Sequence, residues 1–224
     1  MELTFIGHAC FLLENDAGVR VLLDPYQPGA FGGRMGLKAF LRPVDVVVSS
    51  HDHLDHFHID PAFGTPDVVR KDCVARGIAF KGVRLPHDAE DGASRGWVTG
   101  FRFELDGVSI VHPGDLGRPP TPDEVRELAP VDVLLLPVGG TFTMGPDEAM
   151  QTIAALHPRL VIPMHYLLPS VDLPLRPVED FLALVNHKGW AVERRSQQPM
   201  AIRKADLTSS TQVLVLSPTH LSDQ

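Results

Sequence analysis

Val44-Asp45-Val46-Val47-Val48-Ser49-Ser50 runs directly into His51-Asp52-His53-Leu54-Asp55-His56. The first half is a β-branched run of the kind that forms a strand covered on both faces. The second half puts five ionisable side chains into six positions, a density for which a connecting loop has no packing use. His51 and His53 can face the same side if the chain stays extended, because side chains alternate with period two. Two imidazoles on one side can share a metal ion. Asp55 and His56, beyond a turn, can reach a second. Imidazole suits zinc and other first-row metals, and a carboxylate widens the choice toward manganese or iron. The competing reading, a solvated loop of acids and histidines, is disfavoured by this spacing. Catalytic zinc takes about three protein ligands, so more must arrive from elsewhere, and the chain offers His87, His112, Asp115 and His165.

Outward from this stretch, the chain opens with apolar runs that read as strands at Leu3–Ile6, Cys10–Leu13 and Val19–Leu23, with Asn15-Asp16-Ala17-Gly18 as a turn. Gln27 to Gly36, rich in Gly and Pro, reads as a loop near a site mouth. On the far side, Ile78–Leu85 predicts a strand that ends at Pro86-His87. Val98–Leu105 and Val108–Val111 predict a hairpin across Asp106-Gly107. Thr121-Pro122-Asp123-Glu124 is a helix start with Thr as N-cap. Val131–Leu136 and Leu160–Ile162 predict strands, Pro146–Leu156 and Pro177–Lys188 helices, and the last strands fall near Ala191, Ala201 and Val213–Leu216. Strands first, then strands mixed with helices, suit an α/β architecture of sheets flanked by helices. The candidate ligands follow strand ends, where a rigid scaffold displays chemical groups.

Composition narrows the function classes. The chain has 224 residues, 44% hydrophobic and 21% charged, enough for one substantial core. Its formal net charge of −8 disfavours a partner bound through a phosphate backbone, which needs a basic face. No apolar run approaches the roughly 18–20 residues of a spanning helix. The N-terminus reads as a strand and not as a signal peptide, and the two cysteines make no disulfide framework. These features predict a cytoplasmic protein that is not membrane-bound.

Six stretches together carry a resemblance: Ile6-Gly7-His8-Ala9-Cys10-Phe11, Leu22-Leu23-Asp24-Pro25, His51 to His56, His112-Pro113-Gly114-Asp115-Leu116-Gly117, Leu136 to Met144 and Val161-Ile162-Pro163-Met164-His165-Tyr166. Across nearly its whole length the chain resembles the metallo-β-lactamase superfamily, in particular the metal-dependent hydrolases similar to L-ascorbate-6-phosphate lactonase. The resemblance implies a four-layer αβ/βα sandwich with two mixed sheets. One domain would span residues 1–217, followed by a frayed tail at 218–224. It implies two adjacent divalent ions, zinc first, with Mn2+ or Fe2+ as alternatives. His51 and His53 would bind one ion with a later histidine; Asp55, His56 and His165 would bind the other; Asp115 would bridge. Relatives place that later histidine well upstream of the bridging Asp, which favours His87 over His112. His112 then supports a ligand or is a buried, hydrogen-bonded histidine.

The mechanism so implied is attack by a hydroxide formed on the two metals, with Asp55 as a ligand that also orients the hydroxide or takes its proton. The substrate would be a small ester, lactone, amide or phosphodiester. The alternatives are a phosphodiesterase or nuclease of the same superfamily and a non-catalytic metal-binding protein. Asp24 would bond a ligand histidine from below, and Asp52 would support the loop or a ligand histidine. His8 is either a buried, hydrogen-bonded histidine or a pocket residue. Arg95 is either a surface residue or a binder of an anionic substrate group. Thr141, Thr143 and Tyr166 are pocket candidates. Relatives often self-associate, which leaves a homo-oligomer open.

Overall fold

Near-continuous burial marks the central strands of the first sheet. In the computed structural model, which describes residues 1–221, β1 (Glu2–Gly7) turns back through His8-Ala9 into β2 (Cys10–Glu14), and β3 (Arg20–Leu23) pairs antiparallel with β2. Asn15 fixes the intervening turn, its side-chain oxygen accepting from the N–H groups of Ala17 and Val19. The buried valine run is β4 (Val46–Val48), parallel to β3, and β5 (Asp67–Val69) continues beside it. A late strand, β13 (Met200–Ala201), pairs with β1 and completes a six-stranded sheet in the order β13-β1-β2-β3-β4-β5.

The second sheet begins as an antiparallel meander of β6 (Cys73–Ala75), β7 (Ile78–Pro86), β8 (Trp97–Leu105) and β9 (Val108–His112). Asp106 and Gly107 join β8 to β9 with φ of 49° and 76°, the doubly positive pattern of a two-residue hairpin turn. From β9 the sheet becomes parallel through β10 (Val133–Pro137), β11 (Leu160–Met164), β14 (Gln212–Leu216) and β12 (Ala191–Arg195). Its order is β12-β14-β11-β10-β9-β8-β7-β6.

Among the described residues three α-helices accompany this sheet. In α1 (Pro122–Leu128), the Thr121 hydroxyl accepts from Glu124 N–H and the Glu124 carboxylate accepts from Thr121 N–H, the capping box expected from the sequence. The helix α2 (Pro146–Leu156) packs on α1 and on α3 (Val178–His187), which rests on β12. In α3 the buried residues Val178, Phe181, Leu182 and Val185 form one stripe at helical spacing. Among the described residues no α-helix precedes α1. The long segment between β3 and β4 instead buries Tyr26, Met35, Leu37 and Phe40 as irregular chain. One apolar core spans both sheets and includes Phe5, Phe11 and Leu22 of the first and Phe101, Ile110, Leu135 and Val161 of the second.

The sequence pattern predicts fraying from residue 218. Instead Thr219 and His220 donate their main-chain N–H groups to the carbonyls of Phe5 and Ile6, at 3.0 and 3.2 Å, and Lys38 N–H donates to the His220 carbonyl. Chain through Leu221 is thereby tied to β1, and residues 222–224 lie outside the described residues. Among the described residues no helix is long and apolar enough to cross a membrane.

Candidate metal centre

The six strand ends that matter open on one rim. His8 follows β1, Asp24 follows β3, His51 to His56 follow β4, His87 follows β7, Asp115 lies just beyond β9 and His165 follows β11. His8, Asp24 and His165 all adopt left-handed backbone, with φ of 59°, 41° and 53°. Non-glycine residues hold that conformation only where their surroundings over-determine it, and such positions cluster at functional sites. Here each kink lets a side chain at a strand end turn into the rim.

Two groups of side chains meet there. His51, His53, His87 and Asp115 form one, and His8, Asp55, His56 and His165 the other; within each, the potential ligand atoms lie within 4.8 Å of one another. In the first, His53 Nδ1 is 2.8 Å from His51 Nε2 and 3.3 Å from His87 Nε2. In the second, Asp55 Oδ2 is 3.5 Å from His56 Nε2, 3.8 Å from His165 Nε2 and 3.0 Å from His8 Nε2. Asp115 touches both: its Oδ2 is 3.6 Å from His87 Nε2 and 3.3 Å from His165 Nε2, and its Oδ1 is 3.1 Å from His56 Nε2.

The donor set fits a divalent cation. His56 Nε2, His165 Nε2 and Asp115 Oδ1 are buried without a hydrogen-bond partner. Buried polar atoms left in that state cost stability and need an explanation. A cation that takes nitrogen and oxygen ligands satisfies all three together.

Beneath the two groups lies one carboxylate. Asp24 is fully buried. Its Oδ2 accepts from His56 Nδ1 at 2.8 Å, His112 Nε2 at 2.8 Å and the Ser50 hydroxyl at 2.7 Å, while Oδ1 accepts from Ser50 N–H at 2.7 Å. The Ser50 hydroxyl also lies 2.9 Å from His51 Nδ1. A hydroxyl has one proton to give. Having given it to Asp24, Ser50 accepts from His51 Nδ1–H, which leaves the His51 Nε2 lone pair facing the rim. Asp24 fixes His56 in the same sense. Gly114 makes this closeness feasible: at its φ of 60°, a Cβ would lie 2.6 Å from the Ser50 Cβ.

The electrostatics follow from this crowding. Burial alone would raise Asp24, Asp55 and Asp115, but the adjacent histidines outweigh it and hold all three well below the usual carboxylate range. Burial pushes His8 down to about 4 and His51 down to about 3, and pushes His87 down as well. At His165 burial is outweighed by Asp115 and Asp55, which hold it up to about 9, and His56 is likewise raised well above its ordinary value.

Asp52 and two expected pocket residues stand away from the ligand groups. Asp52 is exposed and pairs with Arg70 at 2.6 Å, whose guanidinium covers the Phe57 ring, so it braces the loop and no ligand histidine. Thr141 gives its hydroxyl proton to the Pro174 carbonyl at 2.6 Å and does not line the cleft. Tyr166 is buried in the core beside Phe5, its hydroxyl 3.5 Å from the Leu216 carbonyl. The left-handed turn at His165 sends that histidine to the rim and its neighbour the other way. Of the two candidate histidines, His87 lies in the first group and His112 under Asp24. The sequence did not single out Ser50, nor the cleft wall of Phe31, Arg34, Phe142 and Leu173, which with Arg95 surrounds His53, Asp55, His87 and Asp115 in a hollow of about 310 Å³.

A family model described as the beta-lactamase superfamily domain matches residues 2–165, a span that ends on His165 itself. A UPF0173 metal-dependent hydrolase of Pyrococcus abyssi is 34% identical over 221 residues, covering 86% of this chain and 95% of its own. A second, from Methanoculleus marisnigri, is 34% identical over 192 residues, covering 74% and 81%. A crystal structure from Thermotoga maritima, proposed to be a Zn-dependent hydrolase of the metallo-β-lactamase superfamily, is 33% identical and superposes with a TM-score of 0.75 over 96% of this chain and 97% of that one. The chain belongs to the metallo-β-lactamase superfamily. Within it, this is a metal-dependent hydrolase.

Proposed function

We propose that the two groups hold two divalent ions side by side and that the enzyme hydrolyses a small ester, lactone, amide or phosphodiester. His51, His53 and His87 would hold one ion, Asp55, His56 and His165 the other, with Asp115 between them. The observation that carries this reading is Asp115, whose carboxylate lies within 3.6 Å of histidine nitrogens from both groups. Zinc suits the imidazole-rich donor set; manganese or iron(II) suits the carboxylates. Bound there, such ions supply Lewis acidity toward the scissile centre and lower the pKa of water.

The remaining work falls to the protein. Asp55 faces the cleft as an anion, braced by His8, where it can orient the attacking water and accept its proton at Oδ. Asp24 and Ser50 fix which imidazole nitrogens face the rim. Phe31, Phe142 and Leu173 give the cleft an apolar wall. The net charge of −8 and the size of the hollow support a small molecule over a nucleic acid. Residues 1–221 would act as one domain, in the cytoplasm.

The test is metal analysis of protein purified without added metal, followed by a panel of esters, lactones, bis(p-nitrophenyl) phosphate and RNA. Two ions per chain and chelator-sensitive turnover of a small substrate are expected. Activity confined to phosphodiesters and extending to RNA would point to a nuclease. Silence of the fully loaded protein across the panel would contradict the reading.

A further inference from the structure

The loop after His87 is built around one side chain. The Asp88 carboxylate accepts from the main-chain N–H groups of Glu90, Gly92, Ser94 and Arg95 at 2.7 to 2.9 Å. The other acids of the loop are engaged as well. Glu90 accepts from the Ser94 hydroxyl at 2.6 Å, and Asp91 accepts from Arg118 Nε at 2.6 Å. Arg95 therefore closes a loop that contains three carboxylates, none of which pairs with its guanidinium. Among the described residues its guanidinium makes no ion pair and no hydrogen bond; it lies 5.0 Å from the centre of the Phe142 ring.

This unpaired cation is part of the cleft wall and shares the hollow with His53, His87, Asp55 and Asp115. Arg34 lines the same hollow but is committed elsewhere, its Nε donating to the Asp172 carbonyl at 2.6 Å. In a chain of net charge −8, a guanidinium on a scaffolded loop, supported on an aromatic face and left without a counter-ion, is a prepared anion receptor. Its planar fork suits carboxylate and phosphate alike. The neighbouring wall is apolar: Phe142, Phe31 and Leu173.

We infer that the cleft binds an amphipathic anion: a molecule with an aryl or alkyl part laid against Phe142 and Leu173 and a carboxylate or phosphate held by Arg95. This inference deepens the small-substrate reading above and rests on it for the identity of the cleft as the substrate site. Arg95 is then the residue that selects substrates by charge.

The experiment is ligand-detected NMR or calorimetry on the metal-loaded protein, with 3-phenylpropionate, 2-phenylethyl phosphate and the neutral 3-phenylpropanamide as probes. One of the two anions is expected to bind the wild-type protein at least about tenfold more tightly than the amide, and the tighter one identifies the headgroup. Arg95→Gln should remove most of that preference while metal content stays unchanged. Phe142→Leu should weaken anion and amide together. Equal binding of all three, binding of none at millimolar concentration, or a preference retained in Arg95→Gln (as direct ligation of the anion to metal would give) overturns the inference. A charge preference that disappears in Arg95→Gln, in a protein that turns over no small substrate, would sink the catalytic reading and leave the subsite standing.

Discussion

The two ligand groups differ in how they are housed. The first is mostly imidazole, and its His53 is exposed to the cleft. The second is closed: His8, Asp55, His56 and His165 are all buried, and four of its nitrogens (His8 Nδ1, His56 Nε2 and both of His165) have no hydrogen-bond partner. One gives access, the other retention. Both depend on Asp24, directly through His56 and through the Ser50 hydroxyl at His51. Two sites of unequal exposure are thus oriented by one buried carboxylate.

Substitutions can break this comparison. The largest effect is expected at Asp115, the residue common to both groups. Asp115→Ala should cost both ions their shared ligand. Loss of Lewis acidity worth several kcal/mol corresponds to a fall in kcat of about a thousandfold or more, read alongside metal content. His87→Ala should empty the first group and leave one ion per chain, whereas His112→Ala should keep two. A normal metal count in His87→Ala would remove that residue from the ligand set.

Smaller changes sharpen the comparison. Asp24→Asn should weaken metal binding at both groups, by about 10–100-fold as is usual for partners that orient ligands, in competition with a chromophoric chelator. Ser50→Ala should weaken only the first group, toward the lower end of about that range, and equal losses at both would refute the relay through its hydroxyl. Proton release gives the mildest signal. Without metal at pH 7, His165 is held up to about 9 and is protonated, while His51, pushed down to about 3, is neutral. Filling the second group should therefore release protons and filling the first should release few, as buffer-dependent calorimetry would measure.

Local signals were legible in the sequence. The valine run of β4 delivers the chain to His51, the Asp106-Gly107 turn closes its hairpin, and the bounds of α2 fall at Pro146 and Leu156 as the pattern predicts. Readings that failed needed long-range knowledge. Ser50 matters because Asp24 and Gly114, distant in sequence, press against it. Tyr166 follows a ligand in sequence but is buried in the core, because His165 turns left-handed between β11 and it. Strands β5 and β6, three residues each and largely exposed, carry no alternation to read. Thr219 and His220 are held by hydrogen bonds to β1, which lies at the other end of the chain.

Two ions flanking one carboxylate would be visible as anomalous diffraction from crystals of the metal-loaded protein. Two peaks are expected, one among His51, His53 and His87 and one among Asp55, His56 and His165, with Asp115 reaching both. A single peak in fully loaded protein, or a peak ligated by His112, would contradict this arrangement.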